Sequence, residues 1–164
     1  IASGTQLARF ALFDSETSGK GGSDLDLLLM RANANGAYTT VASSGNGTSN
    51  ENIQLSNPAA ANYRLCVIGY EPKDGADAYK LSSWIVTPSS SGGNFKVSAP
   101  STVVAGGTAT VGMAWSGLAV GKRHMGVVTF RSGTTVVGST VVEVDTTDPL
   151  PLFQNARRMP LEAN

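Results

Sequence analysis

Ten short runs of alternating apolar and polar residues follow one another with too little chain between them to hold a helix. This spacing limits the fold more than any other feature of the sequence. The runs cover 6–13, 24–30, 37–42, 51–55, 62–70, 78–86, 94–98, 108–116, 124–131 and 134–144. Period-two alternation bounded by Gly, Asn, Ser and Pro is the mark of half-buried strands. Joining parallel strands takes a crossover of about a dozen residues or more, which loops such as 19–23 and 45–50 cannot supply. The sheets are therefore expected to be antiparallel and the fold class all-β. The expected architecture is an antiparallel β-sandwich or jelly-roll module over 1–90, then a smaller four-stranded β-module over 91–147 whose strands form one sheet. The Ser/Gly stretch TPSSSGGN at 87–94 reads as the linker between them. Residues 146–164 hold three of the seven prolines and no alternation, so 148–164 is expected to be a tail.

Composition narrows the function classes. Twelve basic and twelve acidic side chains cancel, and 15% of the 164 residues are charged, so there is no electrostatic footprint for nucleic acid. An apolar share of 41% argues against disorder. No run approaches the eighteen or so apolar residues of a membrane-spanning helix. A single cysteine, Cys66, allows no intramolecular disulfide, and a single histidine, His124, allows no multi-histidine metal site. Ile1 follows no initiator Met or signal peptide, so the chain is expected to be cut from a longer precursor whose export signal lies upstream.

Two strands look apolar on both faces. In 62–70, Tyr63, Leu65 and Val67 alternate with Cys66 and Ile68; in 78–86, Tyr79, Leu81 and Ile85 oppose Trp84 and Val86. Such strands need covering on both sides. The expected cover over Trp84, Val86, Cys66 and Ile68 is the second module or, failing that, an upstream domain.

Residues 8–86 resemble the bacterial pre-peptidase C-terminal module, through ARFALFD at 8–14, SDLDLLL at 23–29, VASSGNGTSNENIQL at 41–55, NPAAANYRLCVIGY at 57–70 and ADAYKLSSWIV at 76–86. Residues 95–145, from FKVSAPSTVVAGGTATVGMAWSGL to GSTVVEVD, resemble the short β-module that follows it in some bacterial subtilisin-like serine proteases. The order of the two is the specific part of the signal. The resemblance implies a secreted protease whose Asp-His-Ser catalytic domain stands upstream. These modules are then its non-catalytic C-terminal region, serving folding, secretion, stability or protein-substrate binding. The competing expectation is a surface adhesin, or a carbohydrate- or protein-binding module, anchored by Tyr38, Tyr70 or Trp115.

The residues themselves agree with a chain lacking its own active site. Neither the Gly-Thr-Ser-Met nor the His-Gly-Thr context of the subtilisin serine and histidine occurs. His124 lies in GKRHMG beside two cations that disfavour an imidazolium. Asp24 and Asp26 fall on one face of a strand, with Leu25, Leu27 and Leu29 on the other. With Asp14 in the preceding turn they form the candidate metal set, and calcium is the expected cation because hard carboxylate oxygens suit it. The plainer alternative is that Asp24 caps the Gly-rich turn and Asp26 faces solvent on an edge. Two carboxylates one pleat repeat apart are too close for glycosidase work. Cys66, inside an apolar run, reads as an inert thiol. Asn46-Gly47-Thr48 matches the N-glycosylation pattern but reads as a flexible turn.

Overall fold

The computed structural model describes residues 1–92 and 94–147; the expected tail at 148–164 lies outside them. The described residues are all-β, with ten strands in small antiparallel sheets and no α-helix. The chain divides into two compact units, Ile1–Ser90 and Ser91–Asn164.

In the first unit the strands are β1 (Leu7–Ala11), β2 (Asp24–Ala32), β3 (Tyr38–Ser44), β4 (Asn52–Ser56), β5 (Tyr63–Glu71) and β6 (Ser82–Val86). They form two three-stranded sheets, β4-β1-β6 and β3-β2-β5, and every pairing is antiparallel. Alternation in β2 sends Leu25, Leu27 and Leu29 inward, where they are at most 3% exposed. They form one core with Leu12 and Ile53, flanked by Phe10 and Leu55 from one sheet and Ala42, Leu65 and Val67 from the other. Fully burying each leucine is worth roughly 1.5–3 kcal/mol, so this double row of side chains is what holds the two sheets together. The β2–β3 hairpin turns at 33–37, where Gly36 takes φ +82° and its N–H donates to Asn33 O at 2.9 Å. A side chain at that φ would be strained.

The faces turned away from this core correct one expectation. Cys66 and Ile68 lie on the outer side of β3-β2-β5, beside Leu28 and Asp26 in register. Trp84 and Val86 lie on the outer side of β4-β1-β6, beside Arg9 and Leu7. The two pairs occupy opposite outer faces, so no single docked body covers all four. The run 78–86 is also shorter than its pattern suggests. Tyr79 makes only an isolated bridge to Thr17, and regular pairing begins at Ser82. The segment before it is drawn to the 18–23 loop through Asp77, which takes it out of the ladder.

In the second unit the strands are β7 (Lys96–Ser98), β8 (Gly112–Ala114), β9 (Arg123–Ser132) and β10 (Thr135–Asp145). Four strands are present, but they form two separate two-stranded ladders, β7-β8 and β9-β10, not one sheet. The 108–116 run shrinks to three paired residues because its partner β7 is only three residues long. Gly133, at φ +58°, opens the two-residue turn between Ser132 and Thr135. Val128 is the buried apolar side chain of this unit among the described residues. Among the described residues no helix is long and apolar enough to cross a membrane.

Candidate functional site

The chemistry-bearing side chains of the first unit gather at the end where β2 begins. A groove of about 300 Å³ is lined there by Gly21, Gly22, Ser23, Asp24, Gly47 and Glu71. Its acidic wall comes from register. Asp24 on β2 stands opposite Glu71 on β5, and Tyr70, between Gly69 and Glu71, is an extra residue in the ladder. Asp26, one pleat repeat further along, faces the same way. Glu71 could not be linked to Asp24 from the sequence, because only the bulge fixes which residue ends up opposite.

Asp24 Oδ1 is buried and has no hydrogen-bond partner among the described residues. Burial pushes the Asp26 carboxyl above its ordinary range, and the neighbouring Asp24 charge pushes it further. Two carboxylates are thus held one pleat repeat apart on the same strand. Asp14 has a different task. It opens a 3-10 turn, Asp14–Glu16, and its Oδ1 accepts from the Ser49 N–H at 2.8 Å while its Oδ2 accepts from Asn50 Nδ2 at 2.6 Å. Its own N–H donates to Asn50 Oδ1 at 3.0 Å. Asp14 fastens the 44–51 loop to the turn, and its two oxygens are engaged in doing so. Among the described residues no three or more His, Cys, Asp or Glu side chains are arranged to hold a metal ion, so the structure does not gather Asp14, Asp24 and Asp26 as a ready-made three-carboxylate set.

Two other acids shape the groove's walls. Glu51 is 1% exposed, and among the described residues no cation pairs with it; its oxygens accept from the Ser44 hydroxyl, the Asn46 N–H at 2.9 Å and Asn46 Nδ2 at 2.6 Å. Each bond goes to the 44–51 loop, so this buried carboxylate sets the loop's shape. Asp77 closes the other side. The Ser18 hydroxyl, the Ser23 hydroxyl and the N–H groups of Gly19 and Ser18 hold its carboxyl down at about 2. Gly19 is required at this crossing, since a Cβ there would stand 2.1 Å from Ser23 Oγ and 2.8 Å from Asp77 Oδ2. Sequence reasoning missed Glu51 and Asp77. Glu51 follows a run of neutral polar residues, and Asp77 lies among the charges of Lys73, Asp74 and Lys80, so neither stands out locally.

The remaining candidates are dispersed. His124 sits on β9 with Nε2 3.0 Å from Ala119 O, next to Arg123, which pairs with Asp145 at 3.1 Å. Cys66 is half-buried on the outer face of β5. Tyr38 lies under the Arg64 guanidinium, 4.3 Å from ring centre to Cζ, at the Ala32 end of β2. Tyr70, 73% exposed, stands at the opposite end beside Asp24. Tyr38 and Tyr70 are therefore not neighbours on one stacking platform, and Trp115 belongs to the second unit. No family model, curated protein or solved structure matches this chain.

Proposed function

We propose that the chain is the non-catalytic C-terminal accessory region of a secreted subtilisin-like serine protease. Its partners on this reading are the upstream Asp-His-Ser catalytic domain and the protein substrate that domain cleaves. The observation that carries the reading is order: a six-stranded unit, a Ser/Gly stretch, then a four-stranded unit. The quoted motifs fall on strands in the way an accessory β-module requires, ARFALFD across β1 and the turn after it, SDLDLLL along β2 and NYRLCVIGY along β5. The Ala119 carbonyl against His124, together with the Arg123 charge beside it, supports the same view, because a general base needs an orienting acid and a serine within reach.

A structural calcium ion at the Asp24–Asp26 end of β2 belongs to this proposal. An orphaned buried carboxylate oxygen and a raised neighbouring carboxyl are what a hard cation would relieve. Backbone and water oxygens would complete the shell around the two carboxylates, and the chain's own residues would gain a fixed groove from it.

The reading is tested in two ways. The reading frame that encodes these residues is expected to encode a subtilisin-like catalytic domain on their N-terminal side; a frame holding only tandem β-modules there would replace it with the adhesin reading. The purified chain is expected neither to hydrolyse casein nor to react with a serine-directed phosphonate. Hydrolysis abolished by His124→Ala would overturn the non-catalytic assignment.

A further inference from the structure

Asn-Gly occurs twice in the chain, at 35–36 and at 46–47, and this pair of residues has a reaction open to it without any enzyme. The glycine backbone nitrogen attacks the asparagine Cγ, the Cγ–Nδ2 bond breaks, and ammonia leaves as a five-membered imide closes. Water then opens the imide at either carbonyl to give Asp or isoAsp. The net change is amide plus water to carboxylic acid plus ammonia, with no oxidation or reduction. Attack needs a glycine N–H that is not already committed to a hydrogen bond, and it is helped by a donor on Oδ1 that draws charge from Cγ.

The two sites differ in the nucleophile. At the first, the Gly36 N–H is committed to Asn33 O at 2.9 Å within the hairpin turn, and Asn35 Oδ1 accepts from the Ala37 N–H at 3.0 Å. At the second, no hydrogen bond to a described residue holds the Gly47 N–H, and the glycine is exposed, with nothing within 4 Å of where a Cβ would stand. The Thr48 hydroxyl donates to Asn46 Oδ1 at 2.6 Å, placing the polarising donor on the atom that gathers charge during attack.

Loss of this amide has a structural cost that loss of the Asn35 amide does not. Asn46 Nδ2 donates to Asn50 O at 3.0 Å and to the buried Glu51 Oε1 at 2.6 Å. A carboxylate in its place removes both donors and sets a like charge against a carboxylate that is 1% exposed. We propose that Asn46 is the chain's preferred site of spontaneous deamidation, and that its conversion unlatches the 44–51 loop, and with it the Gly47 wall of the groove, from Glu51.

The intact chain is held at mildly alkaline pH and body temperature, and tandem mass spectrometry locates the gain of about one dalton and separates isoAsp from Asp. Asn46 is expected to convert several-fold faster than Asn35. Gly47→Ala adds a Cβ into open space, so it is expected to keep the fold and slow Asn46 many-fold while leaving Asn35 unchanged. Thr48→Val is expected to slow Asn46 as well. Conversion of Asn35 first, or acceleration by Thr48→Val, overturns the assignment of the site. The unlatching is read separately in Asn46→Asp, which is expected to melt lower and to exchange its 44–51 amides several-fold faster. Unchanged exchange over 44–51 in that variant overturns the second half.

Discussion

The first unit and the second are built from the same kind of strand, yet they bury very different amounts of themselves. Leu12, Leu25, Leu27, Leu29 and Ile53 form one buried cluster in the first, and Val128 stands alone as a buried apolar side chain among the described residues of the second. Large apolar side chains of the second unit stay in contact with solvent, Val104 at 79% and Val120 at 82% exposure among them. The cause is sheet number and width. Two three-stranded sheets face each other across the β2 leucines, whereas a two-stranded ladder has no second sheet of its own to bury a face against. Alternating sequence produces strands in both units, but only facing sheets turn strands into a core.

The largest expected effect tests that contrast directly. Leu29→Ala, at a side chain 0% exposed, is expected to cost ~2–5 kcal/mol, whereas Val128→Ala, which removes two carbons from a less enclosed site, is expected to cost roughly 1–2 kcal/mol. Denaturant melts followed by Trp84 and by Trp115 separately, in Trp115→Phe and Trp84→Phe backgrounds, report the two units one at a time. Equal losses in the two would break the comparison. Hydrogen exchange is expected to agree, with amides of β2 protected longest and those of β7 and β8 exchanging first.

Calcium sharpens the contrast further, since the proposed cation site belongs to the first unit alone. Binding to the folded state adds ~2.7 kcal/mol at a hundredfold excess over Kd. Millimolar calcium is therefore expected to raise the Trp84-reported Tm over that in EDTA and to leave the Trp115-reported melt in place. Asp24→Asn is expected to abolish the gain. Asp26→Asn without calcium is expected to stabilise the fold slightly. A carboxyl raised in the folded state opposes folding while it is charged, and the substitution removes that charge. An unchanged Tm between EDTA and calcium removes the metal from the reading.

Acid gives the smallest of the three effects and reaches both units. Asp77 is held at about 2 by the Ser18 and Ser23 hydroxyls, and Asp145 is lowered by the Thr147 hydroxyl and N–H and by Arg123. A carboxyl depressed in the folded state contributes stability that is complete above its unfolded pKa, near 3.8. That stability is lost as pH falls towards the folded value. For Asp77 the window runs from about 4 down to about 2. Asp77→Asn is expected to flatten the Trp84-reported stability across that window and to leave the Trp115-reported limb, which follows Asp145. A profile that keeps its full slope in Asp77→Asn would remove the staple between the 18–23 loop and residue 77 from the account.

The chain's own pattern determined a good deal. Leu25, Leu27 and Leu29 alternating with Asp24 and Asp26 dictate which side of β2 is dry, because a strand's side chains alternate whatever its partners are. The brevity of the loops dictated antiparallel pairing for the same local reason. Tertiary structure alone decided which strands share a sheet, since pairing is a contact between distant residues that alternation leaves open. It separated Trp84 from Cys66 onto opposite faces, split the last four strands into two ladders and brought Glu71 across from Asp24 through a bulge. It also gave Asp14 to the Ser49–Asn50 backbone and side chain, and set Glu51 inside the loop it shapes. An isolated carboxylate in a sequence carries only its charge. Whether it faces a cation, a like charge or a ring of N–H donors depends on which distant segment is folded against it.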